Sequence, residues 1–361
     1  MRRLSIAVVQ LVVFLGLLEL GFRIYNPFPF RVRGSRIVLP VRQSYTFEID
    51  TRTPKLDRIA HHRKNSLGFR GPDPPADLSR RPSVVTIGGS TTECLFLSDG
   101  KTWTDELARR NTPRWPAAWV NNAGLDGQST YGHLILLRDV VVGLKPAFAV
   151  FLVGVNDVGR DDATSFDASL APGSGLRQRA TAYAVDHSET LALVQNLARA
   201  RRAQARGFGH SEMDVRTLRE LKLDPSAVTA AVAQHDRYLP AYGQRLAAII
   251  ALCRDHGIEP ILLTQPALYG DVVDPSTGVD LGTRQFTGRG NGDVEWKVLE
   301  RYNDVTRAVA AARQVPLVDL ARLVPKDSRY FYDHLHYSLE GARLVGDLVA
   351  DGITPALSRR F

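Results

Sequence analysis

The chain has 361 residues, 44% of them hydrophobic and 23% charged, with a formal net charge of +8. That is enough apolar material for one large domain or two, and it excludes a disordered or fibrous chain. The arginines are spread over the sequence rather than gathered in one run, which disfavours nucleic acid as a partner, and two cysteines, Cys94 and Cys253, exclude a disulfide framework and show no metal spacing.

Met1-Arg2-Arg3 leads into an apolar run from Leu4 to Phe22, long enough to span a bilayer. A secretory signal shares the basic start, but its apolar region is shorter and closes on small residues, which Leu17 to Phe22 does not offer. The expectation is a retained single-pass membrane anchor over residues 1–25. Gln10 and Glu19 lie within it, Glu19 near enough to the end to reach the interface. Arg2 and Arg3 favour a cytoplasmic start and a periplasmic or otherwise extracytoplasmic body, although Arg23, Arg31 and Arg33 beyond the span blunt the asymmetry.

Residues 26–82 read as a stalk and linker, with Asn26-Pro27-Phe28-Pro29-Phe30 leaving the membrane and no clear periodicity before about Arg58. His61 and His62 are adjacent but lack a third ligand at a helical or hairpin spacing, so no metal is expected. From Ser83 onward strand-like runs alternate with helical stretches, the pattern of a parallel sheet wrapped by helices. The predicted strands are Val84–Ile87, Trp119–Asn121, Phe148–Val153, Pro260–Thr264 and Pro316–Asp319. The predicted helices are Thr102–Arg110, Ser129–Gly143, Ala241–His256, Val294–Arg313 and Ser338–Ala350. A helical, arginine-rich insertion at about 161–237 interrupts this rhythm, with an amphipathic helix over Leu191–Arg206. Its Arg199, Arg201, Arg202 and Arg206 read first as solvated surface, and otherwise as contacts to an anionic substrate or lipid head groups. Thr287 to Gly292 is glycine-rich without phosphate-cradle spacing and reads as a rim loop.

The chemistry is centred on Ser83 to Glu93. Val84 to Ile87 is uncharged and β-branched, which suits a strand covered on both faces, and Gly88-Gly89 permits a tight turn. Ser90 then falls at the carboxyl end of a strand and the start of a helix, where ligands bind in open α/β sheets. Either it is a nucleophile beside its own backbone N–H, or Ser90 or Thr91 is only a helix cap. Three further blocks fall at strand ends: Asn122 to Gly127, Gly154-Val155-Asn156-Asp157, and Asp333-His334-Leu335-His336. Hydroxyl attack on an ester needs a base, a group to orient it and donors for the oxyanion. His336 fits the base and Asp333 its orienter, while the Asn156 amide and the Gly127 N–H fit the donors. Cys94, one turn beyond Ser90, is a weaker nucleophile candidate. His133, His187, His210, His235 and His256 show no partner pattern.

These four blocks, in this order, resemble the SGNH or GDSL hydrolases over about Asn65 to Ala350. The resemblance implies a three-layer α/β/α sandwich with a flavodoxin-like five-stranded parallel sheet over residues 83–355. It also implies a serine esterase with the triad Ser90, Asp333 and His336 and an oxyanion hole of Ser90, Gly127 and Asn156, with no metal or organic cofactor. The chain departs from the family at Gly89, where aspartate is usual, and Asn65 to Gly71 resembles a bacterial, membrane-tethered subset. The expected partners are an acylated small-molecule, lipid or polysaccharide substrate and, through the anchor, the membrane. Two alternatives stand beside the esterase: an O-acyltransferase acting on envelope polysaccharide, and an inactive binding domain of the same fold.

Overall fold

The computed structural model describes residues 2–25, 32–34, 36–51, 53–78, 81–159, 176–205, 210–288 and 290–361. In chain order the longer helices are α1 (Arg2–Ile24), α2 (Trp103–Asn111), α3 (Thr130–Leu136), α4 (Leu176–His187), α5 (Glu189–Ala205), α6 (Pro225–Ala233), α7 (Leu239–Asp255), α8 (Gly292–Ala312) and α9 (Leu339–Arg360). The strands are β1 (Val32–Arg33), β2 (Arg36–Ile37), β3 (Ser44–Glu48), β4 (Ile59–Arg63), β5 (Ser83–Gly88), β6 (Trp119–Asn122), β7 (Phe148–Val153), β8 (Glu259–Thr264) and β9 (Leu317–Val318). They divide between two units: Met1–Pro40 with Ser169–Gly209, and Val41–Ala168 with His210–Phe361.

In the larger unit five strands pair in the order β6-β5-β7-β8-β9, all parallel. Every residue of β5, β6 and β7 is buried, the signature of strands covered on both faces. Side chains alternate across the pleat. Val84, Phe148, Val150, Leu152, Ile261 and Leu263 join one core with Trp103 and Leu107 of α2 and Val345 and Val349 of α9. The intervening Val85, Ile87, Ala149, Phe151 and Leu262, also buried, point the other way, where α3, α7 and α8 pack. The result is a three-layer α/β/α sandwich whose carboxyl strand ends carry the candidate residues.

The segment expected to be a stalk contains an antiparallel hairpin, β3 paired with β4, inside the larger unit. Its strands alternate exposed and covered residues and are largely polar, so hydropathy alone does not mark them. The same alternation places His61 outward, against Thr46, and His62 inward, stacked on Phe47. Two neighbours on opposite faces of a strand do not chelate together. Burial, with the Arg70 and Lys64 charges nearby, pulls the His62 imidazole down to about 3.

The helix predicted over Ser129–Gly143 contains a π-helical segment, Leu137–Val141. The last helix runs on past Ala350 and through Pro355 to Arg360, because Ile353, Ala356 and Leu357 bury a continuous apolar face. The expected insertion divides: α4 and α5 belong to the smaller unit, whereas α6 belongs to the larger. Asn26 to Phe30, Arg206 and Arg289 lie outside the described residues, as do the side chains of Arg199 and Arg202.

The smaller unit holds α1, β1, β2 and the α4–α5 hairpin. Ser5–Ile24 is long and apolar enough to cross a membrane. Glu19 sits within it yet is not stranded: its carboxylate accepts from the Ser188 hydroxyl and the N–H groups of Glu189 and Thr190, capping α5, and pairs with Arg23.

Candidate active site

Ser90 opens a four-residue helical turn, Ser90–Glu93, directly after β5. Such a turn is too short to hold itself, and its carbonyls are taken by the surrounding fold. The Trp103 indole N–H donates to Thr91 O, the Asn122 amide to Thr92 O, and the Arg70 guanidinium to the carbonyls of Glu93, Cys94 and Leu97. Cys94 ends the turn in the left-handed region, buried, its thiol pushed up to about 12 by burial. A thiol held protonated in that way is no competitor to the serine.

Asp333, Leu335 and His336 form a tight turn ahead of α9. Asp333 Oδ1 accepts from the N–H groups of Leu335 and His336, at 2.8 and 2.7 Å, and Oδ2 lies 2.6 Å from His336 Nδ1. A carboxylate only accepts, so Nδ1 carries the proton and Nε2 of the neutral ring is left as an acceptor. Nε2 is 2.7 Å from Ser90 Oγ across 246 positions of sequence. Burial alone would raise the Asp333 carboxyl, but the His336 charge and hydrogen bonds outweigh it and hold the group well below the usual carboxylate range.

The other two strand ends meet beside Gly89. A Cβ at that position would lie 2.1 Å from Asn156 Nδ2 and 3.1 Å from the Gln128 carbonyl, so the missing side chain is the space into which Asn156 packs. Gly127, next to Gln128, has φ of 73°, a conformation that favours glycine. Asn156 is carried on a single 3₁₀ turn, Val155–Asp157, which Asp157 fastens from below. The buried Asp157 carboxylate accepts from the N–H and hydroxyl of Thr130 and pairs with Arg245 at 3.3 Å.

The family model for GDSL-like lipases and acylhydrolases matches residues 86–344, which include Gly88-Gly89-Ser90 and the three later blocks. The chain belongs to the GDSL-like lipase/acylhydrolase family. Among solved structures, an acetylxylan esterase from Geobacillus stearothermophilus is similar at 14% identity, covering 76% of this chain and 94% of its own, with a TM-score of 0.44. A GDSL-like lipase from Bacteroides thetaiotaomicron is 14% identical over 80% of this chain and 93% of its own, with a TM-score of 0.39. An alpha/beta hydrolase enzyme from the metagenome of Lake Arreo is 18% identical over 75% and 94%, with a TM-score of 0.41. No curated protein matches the chain.

This GDSL-like site includes residues that spacing did not reveal. The His336 ring packs against two others, Tyr332 at 5.6 Å and 15° and His210 at 4.3 Å, which are themselves 6.4 Å apart. Those two are joined by a 2.7 Å hydrogen bond between Tyr332 OH and His210 Nδ1. His210 Nε2 lies 3.5 Å from an Asp126 carboxylate oxygen, next to Gly127. Burial alone would depress the His210 imidazole; the Asp126 hydrogen bond and charge, with Asp333 and Glu93, outweigh it and raise the group above its ordinary value. Beneath them, Glu93 accepts from the Asp126 N–H at 2.6 Å and from Lys64 Nζ at 3.1 Å, both charged side chains only 1% exposed. His210 lies within the segment read as an insertion, so no local pattern announces it. The Asn65–Gly71 lead-in, far from His210 in sequence, contributes Arg70, whose guanidinium holds the carbonyls that follow Ser90.

Among the described residues, one group could hold a metal ion: His210, Asp333 and His336, with candidate ligand atoms within 4.8 Å of one another. Both His336 nitrogens, however, are already committed to Ser90 and Asp333. Aromatics cluster next to His334 and Leu335: buried Tyr269 stacks on His334, and partly buried Phe286 and Trp296 pack against the cluster that contains Leu335 and Tyr269.

Proposed function

We propose that the chain is a serine esterase that cleaves an ester of a carbohydrate or lipid through an acyl-Ser90 intermediate, tethered by α1 with its larger unit on the extracytoplasmic side. The observation that carries the reading is the continuous line Ser90 Oγ, His336 Nε2, His336 Nδ1, Asp333 Oδ2, at 2.7 and 2.6 Å.

In this reading His336 takes the Ser90 proton as Oγ attacks the acyl carbon, and returns it to the departing alcohol. Asp333 holds the ring in the required tautomer and stabilises the imidazolium without itself being protonated. The N–H groups of Ser90 and Gly127 and the amide of Asn156 receive the oxyanion, each such donor accounting for roughly a hundred- to a thousandfold in rate. Water, activated by the same imidazole, then releases the acid. The aromatic cluster beside Leu335 supplies apolar faces of the kind that line small-molecule sites.

The test is direct. A fluorophosphonate should label Ser90, and Ser90→Ala should lower hydrolysis of a short p-nitrophenyl ester by about four to six orders of magnitude. Labelling elsewhere, or hydrolysis that survives the substitution, would overturn the assignment.

A further inference from the structure

The smaller unit, Met1–Pro40 with Ser169–Gly209, contains twelve arginines, no lysine and three acidic residues. Its net charge is therefore +9, and the remaining residues sum to −1 against the chain's +8. The whole basic excess of the protein thus belongs to the unit that also holds the apolar helix. Each of the three acids is bound to an arginine of the same unit: Glu19 to Arg23, Glu189 to Arg33, and Asp186 to Arg36. Local pairing leaves most of that positive charge unanswered.

The hairpin beside α1 also presents apolar side chains. On α5, Leu191, Val194 and Leu197 are 44%, 58% and 52% exposed, followed by exposed Arg201. On α4, Leu176 and Tyr183, two turns apart, are 85% and 67% exposed. The opposite sides are used for packing: Val185 and Ala192 are buried, and Asn196 donates to Val32 O. Glu19 fixes where α5 begins, because the carboxylate near the end of the apolar run caps the first turn of α5. If α1 spans a bilayer, the start of α5 is held at the boundary between hydrocarbon and head groups. A helix with an apolar stripe and arginines at that level has the chemistry of an in-plane interfacial helix.

We propose that the α4–α5 hairpin lies on an anionic lipid surface, its exposed leucines and valine in the acyl boundary and its arginines among the head groups, as a second membrane contact beside α1. This rests on the reading of α1 as a membrane anchor, and the experiment separates the two. Full-length protein carrying Val194→Cys, Leu197→Cys, Val12→Cys or Lys222→Cys is spin-labelled and reconstituted into phosphatidylcholine vesicles with and without phosphatidylglycerol. Cys94 and Cys253 are buried, with thiols pushed up to about 12, and stay unlabelled.

Labels at 194 and 197 are expected to be relaxed more by oxygen than by an aqueous nickel complex in the anionic vesicles, and to shift toward the aqueous reagent in neutral ones. Position 12 should stay in lipid in both, and position 222 in water. Position 12 in lipid with 194 and 197 in water would overturn the seat alone; position 12 in water would overturn anchor and seat together. Immersion indifferent to lipid charge would overturn the part given to the arginines. Dipolar broadening between labels at 194, independent of lipid, would show a second copy of the chain on this face instead.

Discussion

The two units treat charge in opposite ways. The larger encloses matched polar pairs: Lys64 with Glu93, Arg245 with Asp157, Asp333 with the His336 ring. In the smaller, twelve arginines face three acids and several remain at the surface. A buried ion that has lost its partner is costly, so the first arrangement fixes the position of whatever it holds. An exposed excess fixes nothing internally and instead sets what the surface attracts. One pattern marks a site and the other a surface in search of an opposite charge.

That contrast breaks most readily at Lys64. Lys64→Met leaves Glu93 charged and enclosed beneath Asp126, and urea unfolding should show a loss of about 3–5 kcal/mol, the usual cost of splitting a buried pair. A loss below 1 kcal/mol would mean that the pair is wet or slack, and the distinction between the units would fail. Next in size is the contact between Gly89 and Asn156. Gly89→Ala and Asn156→Ala should each lower kcat by about a hundred- to a thousandfold with KM little changed, since both would remove the oxyanion donor proposed for Asn156. The double variant should be no slower than Asn156→Ala alone. Additive losses would show that Gly89 acts through something other than the room it leaves for that amide. Smallest is Arg201→Glu in the smaller unit, which should move the unfolding midpoint by less than about 0.5 kcal/mol in stability while weakening retention on anionic vesicles. A large stability change there would place the arginine in the internal scaffold rather than at the surface.

The sequence was most readable where the chain is buried on both faces. Phe148–Val153 is a strand over the residues expected, and the other four central strands agree to within a residue or two, because continuous apolar runs between turn signals leave few alternatives. The four blocks were legible for a related reason: each comes directly after one of those strands or before a capped helix, so placing the strand places the side chain. The structure brings Ser90, His336 and Asp333 into one line, and it places Asn156 against Gly89.

What stayed hidden depends on long-range partners. The β3–β4 hairpin is half polar, and only its packing on the rest of the larger unit makes it structural. His210 has no helical or strand neighbour that would suggest a role, and its meaning lies in Asp126, Tyr332 and His336, each far away in sequence. Pro355 is a local signal to stop a helix, and here the apolar face of Ile353, Ala356 and Leu357 overrides it.

Arg70 and Lys64 both precede the first residue of the family match, yet they hold the backbone just after Ser90 and the acid beneath Asp126. A chain cut back to residue 86 would retain serine, imidazole and carboxylate while losing the two cations that keep their platform in place. The structural unit that holds Ser90 and Asp126 in place is therefore longer than the matched segment, and a cut at that segment's edge would strip away both supporting cations.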